Sequence, residues 1–116
     1  MDEKIEKAFA VANYMATLSN QRRIILEEYT QKLVYYINGA TVNVDYNLIN
    51  FAKNLVDLGH TEEIVFVDAN NQPVVIKDVQ DFLDNILSVY FEAVNEYHTK
   101  FAEIKRKRKV QDLVDL

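Results

Sequence analysis

Between Asp78 and Lys109 the chain separates apolar from polar side chains so cleanly that a helix is the conformation the pattern dictates. Val79, Phe82, Leu83, Ile86, Leu87, Tyr90, Phe91, Ala93, Val94, Tyr97, Phe101 and Ile104 fill one half of a helical wheel. Asp81, Asp84, Asn85, Ser88, Glu92, Asn95, Glu96, Thr99 and Glu103 fill the other. Asp78 supplies an N-cap oxygen, with Asp81 in the first turn. Five consecutive cations, Lys105, Arg106, Lys107, Arg108 and Lys109, stand at the end where the helix dipole favours positive charge. An apolar half-circle is wider than one neighbouring helix covers. This helix is therefore expected to touch at least two other elements and to be the spine of the fold.

The first helix is expected to start near Asp2 and to run as far as Asn38. Ile5, Ala8, Phe9, Ala12, Met15, Ala16, Leu26, Tyr29, Leu33, Val34 and Ile37 fall on one stripe. Ser19, Arg22 and Arg23 interrupt that stripe, and Glu27 lies one turn beyond Arg23 as its natural partner. A continuous helix is favoured over a break at Ser19-Asn20. Asn38-Gly39 reads in two ways: as a helix end capped by Gly39, or as the type I′ turn of a hairpin joining residues 33–37 to 40–44. The smooth extension of the stripe into Leu33 and Ile37 favours the helix.

A short amphipathic helix follows, from about Asp45 to Leu58, closed by Gly59. Then Glu63–Asp68 and Pro73–Lys77, two β-branched runs around Ala69-Asn70-Asn71-Gln72, read as a β-hairpin. Pro73 cannot donate to a ladder and should open its strand or face outward. The expected fold is α+β and mainly helical: long helix, short helix, β-hairpin, long helix, with the two long helices packed antiparallel. Residues 1–109 are expected to form a single domain with the hairpin at about 63–77, and 110–116 a separate acidic–hydrophobic tail. A lone two-stranded hairpin is marginal. Ile64, Phe66 and Val75 are thus expected to pack on helices or to pair with a second chain.

Composition narrows the class. The 116 residues contain no cysteine, which excludes a disulfide frame, a thiolate metal site and a cysteine nucleophile. No apolar run approaches the ~18 residues of a membrane span, and Asp2, Glu3 and Glu6 are wrong for a secretory signal. The expectation is a soluble cytoplasmic protein with no membrane partner. The net charge of −5 conceals an asymmetry: residues 1–99 carry 7 basic and 15 acidic side chains, whereas residues 100–109 carry 6 basic and 1 acidic. An acidic bulk repels a nucleic-acid backbone and the basic block attracts it.

Catalytic patterns are nearly absent. His60 lies in a loop, His98 at the edge of the spine's apolar face, and Glu96 and His98 point different ways on a helix. The pairs Glu92/Glu96 and Asp81/Asp84 fall on the polar face, where solvation is their plain role. There is no phosphate-binding glycine loop and no nucleophile elbow. Neither enzyme activity nor a cofactor or metal is expected. Tyr29, Tyr90 and Tyr97 fall on core stripes; Tyr14, Tyr35 and Tyr46 are less clearly buried.

Two segments are candidate contact sites. Lys105, Arg106, Lys107, Arg108 and Lys109 could meet nucleic acid or an acidic protein surface, although complementing the helix dipole is the simpler role. Asp112, Leu113, Val114, Asp115 and Leu116 alternate acidic and apolar residues and could dock on a partner protein. The Asn- and Tyr-rich, Cys-free, acidic character of the chain resembles the uncharacterised accessory proteins of T-even-like, especially marine, bacteriophages. Its last five residues are similar to the short C-terminal peptides by which several such phage proteins dock on their sliding clamp. The resemblance implies a viral protein acting in the cytoplasm of a host cell. The functional expectation is a self-associating interaction protein, a homodimer by preference. The alternative is an accessory factor in phage transcription or replication, touching nucleic acid through the basic block and a partner through the tail.

Overall fold

The computed structural model describes the backbone of residues 2–114 and the side chains of residues 2–107. The elements run α1 (Glu3–Lys32), β1 (Val34–Ile37), β2 (Ala40–Asn43), α2 (Tyr46–Asp57), β3 (Glu62–Val67), β4 (Pro73–Asp78) and α3 (Val79–Val114). The fold is α+β and mainly helical, in the expected order, with one hairpin more than expected. Each hairpin is its own two-stranded antiparallel sheet. The chain divides into two compact units: a mixed unit, Gln31–Asn95, and a helical unit made of α1 up to Thr30 and α3 from Glu96 onward.

The mixed unit holds both hairpins, α2 and the first half of α3. The favoured extension of the first helix to Asn38 is overturned, because α1 stops at Lys32. Asn38 and Gly39 both take left-handed backbone angles, φ 49° and 77°, as a type I′ turn requires. The ladder pairs Val34 with Asn43 and Ile37 with Ala40, and the Val44 N–H extends it to the Leu33 carbonyl at 2.9 Å. Ala40, Val42 and Val44 alternate inward and are buried. That long-range burial, invisible to local periodicity, decides for the hairpin.

Helix α2 opens on Asp45, whose Oδ1 accepts from the Leu48 N–H at 2.7 Å. It ends in a Schellman pair: Gly59 N–H to the Val56 carbonyl and His60 N–H to the Leu55 carbonyl, with Gly59 at φ 85°. In the second hairpin Ile64 pairs with Ile76 and Phe66 with Val74, all turned toward the core. The expectation for Val75 is corrected: alternation puts it on the outer face with Val65 and Val67, and all three are exposed. The Ala69 N–H donates to the Thr41 carbonyl at 3.0 Å and the Asn38 amide to the Val75 carbonyl at 3.4 Å, tying the hairpins together. Asp78 caps α3 through the Asp81 N–H. Val79, Phe82, Leu83 and Ile86 then complete a core in which Ile86 is wholly buried. Phe91, assigned to the apolar half of the spine, lies at its rim and is exposed.

The helical unit is a pair of antiparallel helices with a narrow seam. Leu18, Ile25 and Ile104 are buried, with Tyr14, Tyr97 and Phe101 packed against them. Tyr29 stacks on Tyr97 with ring centroids 4.9 Å apart. Helix α1 is continuous past Ser19, as favoured. Its stripe, however, is not the one expected: Ile5, Phe9, Met15 and Leu26 are exposed, because Tyr14, Leu18 and Ile25 are the residues that meet α3. Arg23 pairs with Glu27 at 2.9 Å, as the spacing predicts, and Arg22 lays its guanidinium over the Phe101 ring at 5.3 Å.

Candidate interaction surfaces

The basic block begins on the last described turns of α3, where helix geometry fans consecutive side chains around the axis. Lys105, Arg106 and Lys107 are exposed and form no ion pair with a described residue. Arg108 and Lys109 have side chains outside the described residues, as do Asp112, Leu113 and Val114; Asp115 and Leu116 lie outside them altogether. Sequence reasoning found no aromatic neighbour for the block, yet the fold supplies one. The Tyr14 hydroxyl donates to the Lys107 carbonyl at 2.7 Å, from 93 residues away along the chain.

One turn earlier the charges are already matched. The Lys100 ammonium donates to Glu28 at 2.7 Å, across the seam, and to Glu96 at 2.9 Å along its own helix. The bond to Glu28, then that to Glu96, holds the Lys100 pKa above its ordinary value. The basic character therefore starts at Lys105.

His60 and His98 are both exposed, and the described residues contain no cluster of three or more His, Asp or Glu able to hold a metal ion. The recess between α2 and the second hairpin, lined by Leu48, Phe51, Leu55, Ile64, Phe66 and Phe82, encloses about 10 Å³ and is wholly apolar. That is at the limit for a single water. Asp68 is the one buried charged side chain of the described core. Its Oδ1 accepts from the Asn70 and Gln72 N–H groups at 2.9 and 2.8 Å, closing the β3–β4 loop, while Oδ2 is buried without a partner. This is an Asx-type turn that the Asp-Ala-Asn-Asn run could have signalled. No helix of the described residues is long and apolar enough to cross a membrane.

Exposed apolar side chains make up the more extensive surfaces. In the mixed unit Tyr46 stands against Tyr90, rings 5.6 Å apart and hydroxyls 3.1 Å apart, and Tyr90 meets the exposed Phe91 edge-on at 5.4 Å. The outer face of the second hairpin adds Val65, Val67 and Val75. In the helical unit Ile5, Phe9, Val11, Met15, Ile24 and Leu26 are all exposed on α1. No family model matches the chain, and no curated protein or solved structure matches it.

Proposed function

We propose that this chain is a non-enzymatic interaction protein that works by self-association, a homodimer by preference, and that it acts in the cytoplasm of the cell hosting a phage-like genome. The observation that carries the reading is apolar surface left uncovered on a small fold, above all Ile5 and Phe9 on a helix that already has its intramolecular partner. Large exposed apolar patches are typical of protein interfaces, and symmetric homodimers are the commonest way to cover them. Sedimentation equilibrium at tens of micromolar should give a dimer mass. Monomer alone at that concentration overturns the reading.

A second reading rests on Lys105, Arg106 and Lys107, which no described carboxylate neutralises. On this reading the block extending to Lys109 grips a nucleic-acid backbone while the tail from Asp112 to Leu116 engages a partner protein. Five neutralised phosphates would give a log–log salt slope of about −3.5 on single strands and −4.5 on duplex. With 15 acidic against 7 basic side chains over residues 1–99, binding should be weak or undetectable at physiological salt. A sub-micromolar, salt-sensitive affinity for a fluorescent oligonucleotide, lost when all five cations become Gln, would put this reading first.

A further inference from the structure

Helix α1 has two apolar faces, and α3 occupies one of them. Tyr14, Leu18 and Ile25 form the occupied face. Ile5, Phe9, Ala12 and Ala16 recur at four-three-four spacing, as a helix–helix seam requires, and lie roughly 170° around the axis from the first face. All four are exposed, Phe9 at 58%. The helix is also uncharged around its whole circumference here: Ala8 to Gln21 contains no charged residue in a chain that is 27% charged. A helix meant for water on its outer side carries charge there.

We propose that this stripe is covered by the same stripe of a second copy, the two α1 helices running antiparallel about a two-fold axis between residues 10 and 11. The proposal rests on the self-association reading and names its surface. Size is the first reason for a second copy as occupant. The bulky residues, Ile5 and Phe9, stand at one end of the stripe and the small ones, Ala12 and Ala16, at the other. Antiparallel pairing sets Ile5 on Ala16 of the second copy and Phe9 on Ala12, so every bulky side chain meets a small one. An isologous interface needs this self-complementarity. Charge is the second reason. Asp2 and Glu6 flank the stripe at its bulky end, Arg23, ion-paired to Glu27 at 2.9 Å, continues it at the other, and Lys4 and Lys7 fall on the far side of the helix. Antiparallel pairing brings the acidic end of one copy toward Arg23 of the other. A single pair of helices is a small interface, below the ~1,200 Å² at the low end of stable ones, so a weak, concentration-dependent dimer is expected.

The absence of cysteine makes introduced thiols unique reporters. Ile5→Cys and Ala16→Cys, prepared separately, mixed and oxidised with copper phenanthroline, should cross-link in the mixture far more than either does alone. Like positions are 11 residues offset, roughly 16 Å, well beyond the ~7 Å Cα separation a disulfide tolerates. Phe9→Glu should raise the dimer dissociation constant at least tenfold, whereas Leu58→Glu, at a still more exposed apolar site in the mixed unit, should leave it unchanged. A dimer that ignores Phe9→Glu, or that cross-links through Ile5→Cys alone, sinks this interface while self-association stands. A wild type that stays monomeric at tens of micromolar sinks both.

Discussion

The mixed unit closes around its own core, and the helical unit does not. Ten buried apolar side chains from β2 and the residue after it, β4, α2 and α3 converge in the mixed unit, with Ile86 and Val79 shut off from solvent. Among the described residues the helical unit buries three, and two polar atoms at its seam, the Gln21 Oε1 and the Arg22 Nε, lack partners, as the Asp68 Oδ2 does in the mixed unit. Burying an unpaired polar atom costs roughly 1–3 kcal/mol, which a seam with only three buried apolar side chains has little to offset. The contrast lies in geometry rather than in composition. Strands and helices in two directions enclose a volume, whereas two parallel cylinders share only a line. One unit should therefore carry the folding energy, and the other should present surface.

Removing the centre of the mixed unit is the most severe test. Ile86→Ala deletes a side chain with no solvent exposure and leaves a cavity among Phe82, Leu83 and Val79. The expected cost is about 2–5 kcal/mol by urea denaturation, a large share of the ~5–15 kcal/mol such a domain possesses. An unchanged midpoint would mean that the core is centred elsewhere. The matching change in the helical unit, Ile104→Ala, also removes a buried side chain but at an open seam that water can refill. About 1–2 kcal/mol is expected, since the cost falls where a site collapses or hydrates. Native-state hydrogen exchange sharpens the comparison: amides of α3 around Phe82–Ala93 should open only with global unfolding, and those around Phe101–Ile104 at lower free energy. Equal protection along α3 would erase the distinction between the units.

How much of this was legible depends on which residues make local patterns. The α3 stripe was readable because its apolar positions face solvent-averse neighbours along most of its length. Its one error, Phe91, sits where the wheel turns from core to rim. Helix α1 misled because it carries two apolar faces, and a single stripe drawn through Ile5, Phe9, Leu26 and Tyr29 mixes them. The clue was the charge at Arg22 and Arg23, which broke the drawn stripe without breaking the helix. Asn38-Gly39 held both outcomes in two residues, and the choice was made by Ala40, Val42 and Val44 finding a core built largely from residues 64–86. The basic block was visible as composition, but its tyrosine neighbour came from the opposite helix.

The smallest expected effect tests whether the mixed unit's boundaries are as well determined as its centre. Gly59 ends α2 in a left-handed conformation, φ 85°, and a Cβ added there would meet nothing within 4 Å. Sterics with the surroundings are therefore absent, and the cost of Gly59→Ala is purely conformational. The left-handed region costs an L-residue roughly 1–2 kcal/mol. Against this, alanine restricts the unfolded chain and returns about 0.4–1 kcal/mol. The net expectation is a loss of about 1 kcal/mol, with Gly59→Asn losing less because asparagine tolerates that region. Denaturation midpoints ordered Gly, Asn, Ala would locate the effect in the backbone angle. A loss above ~3 kcal/mol for alanine would require a contact the Schellman turn does not have, and no loss at all would mean that α2 ends by fraying rather than at a cap.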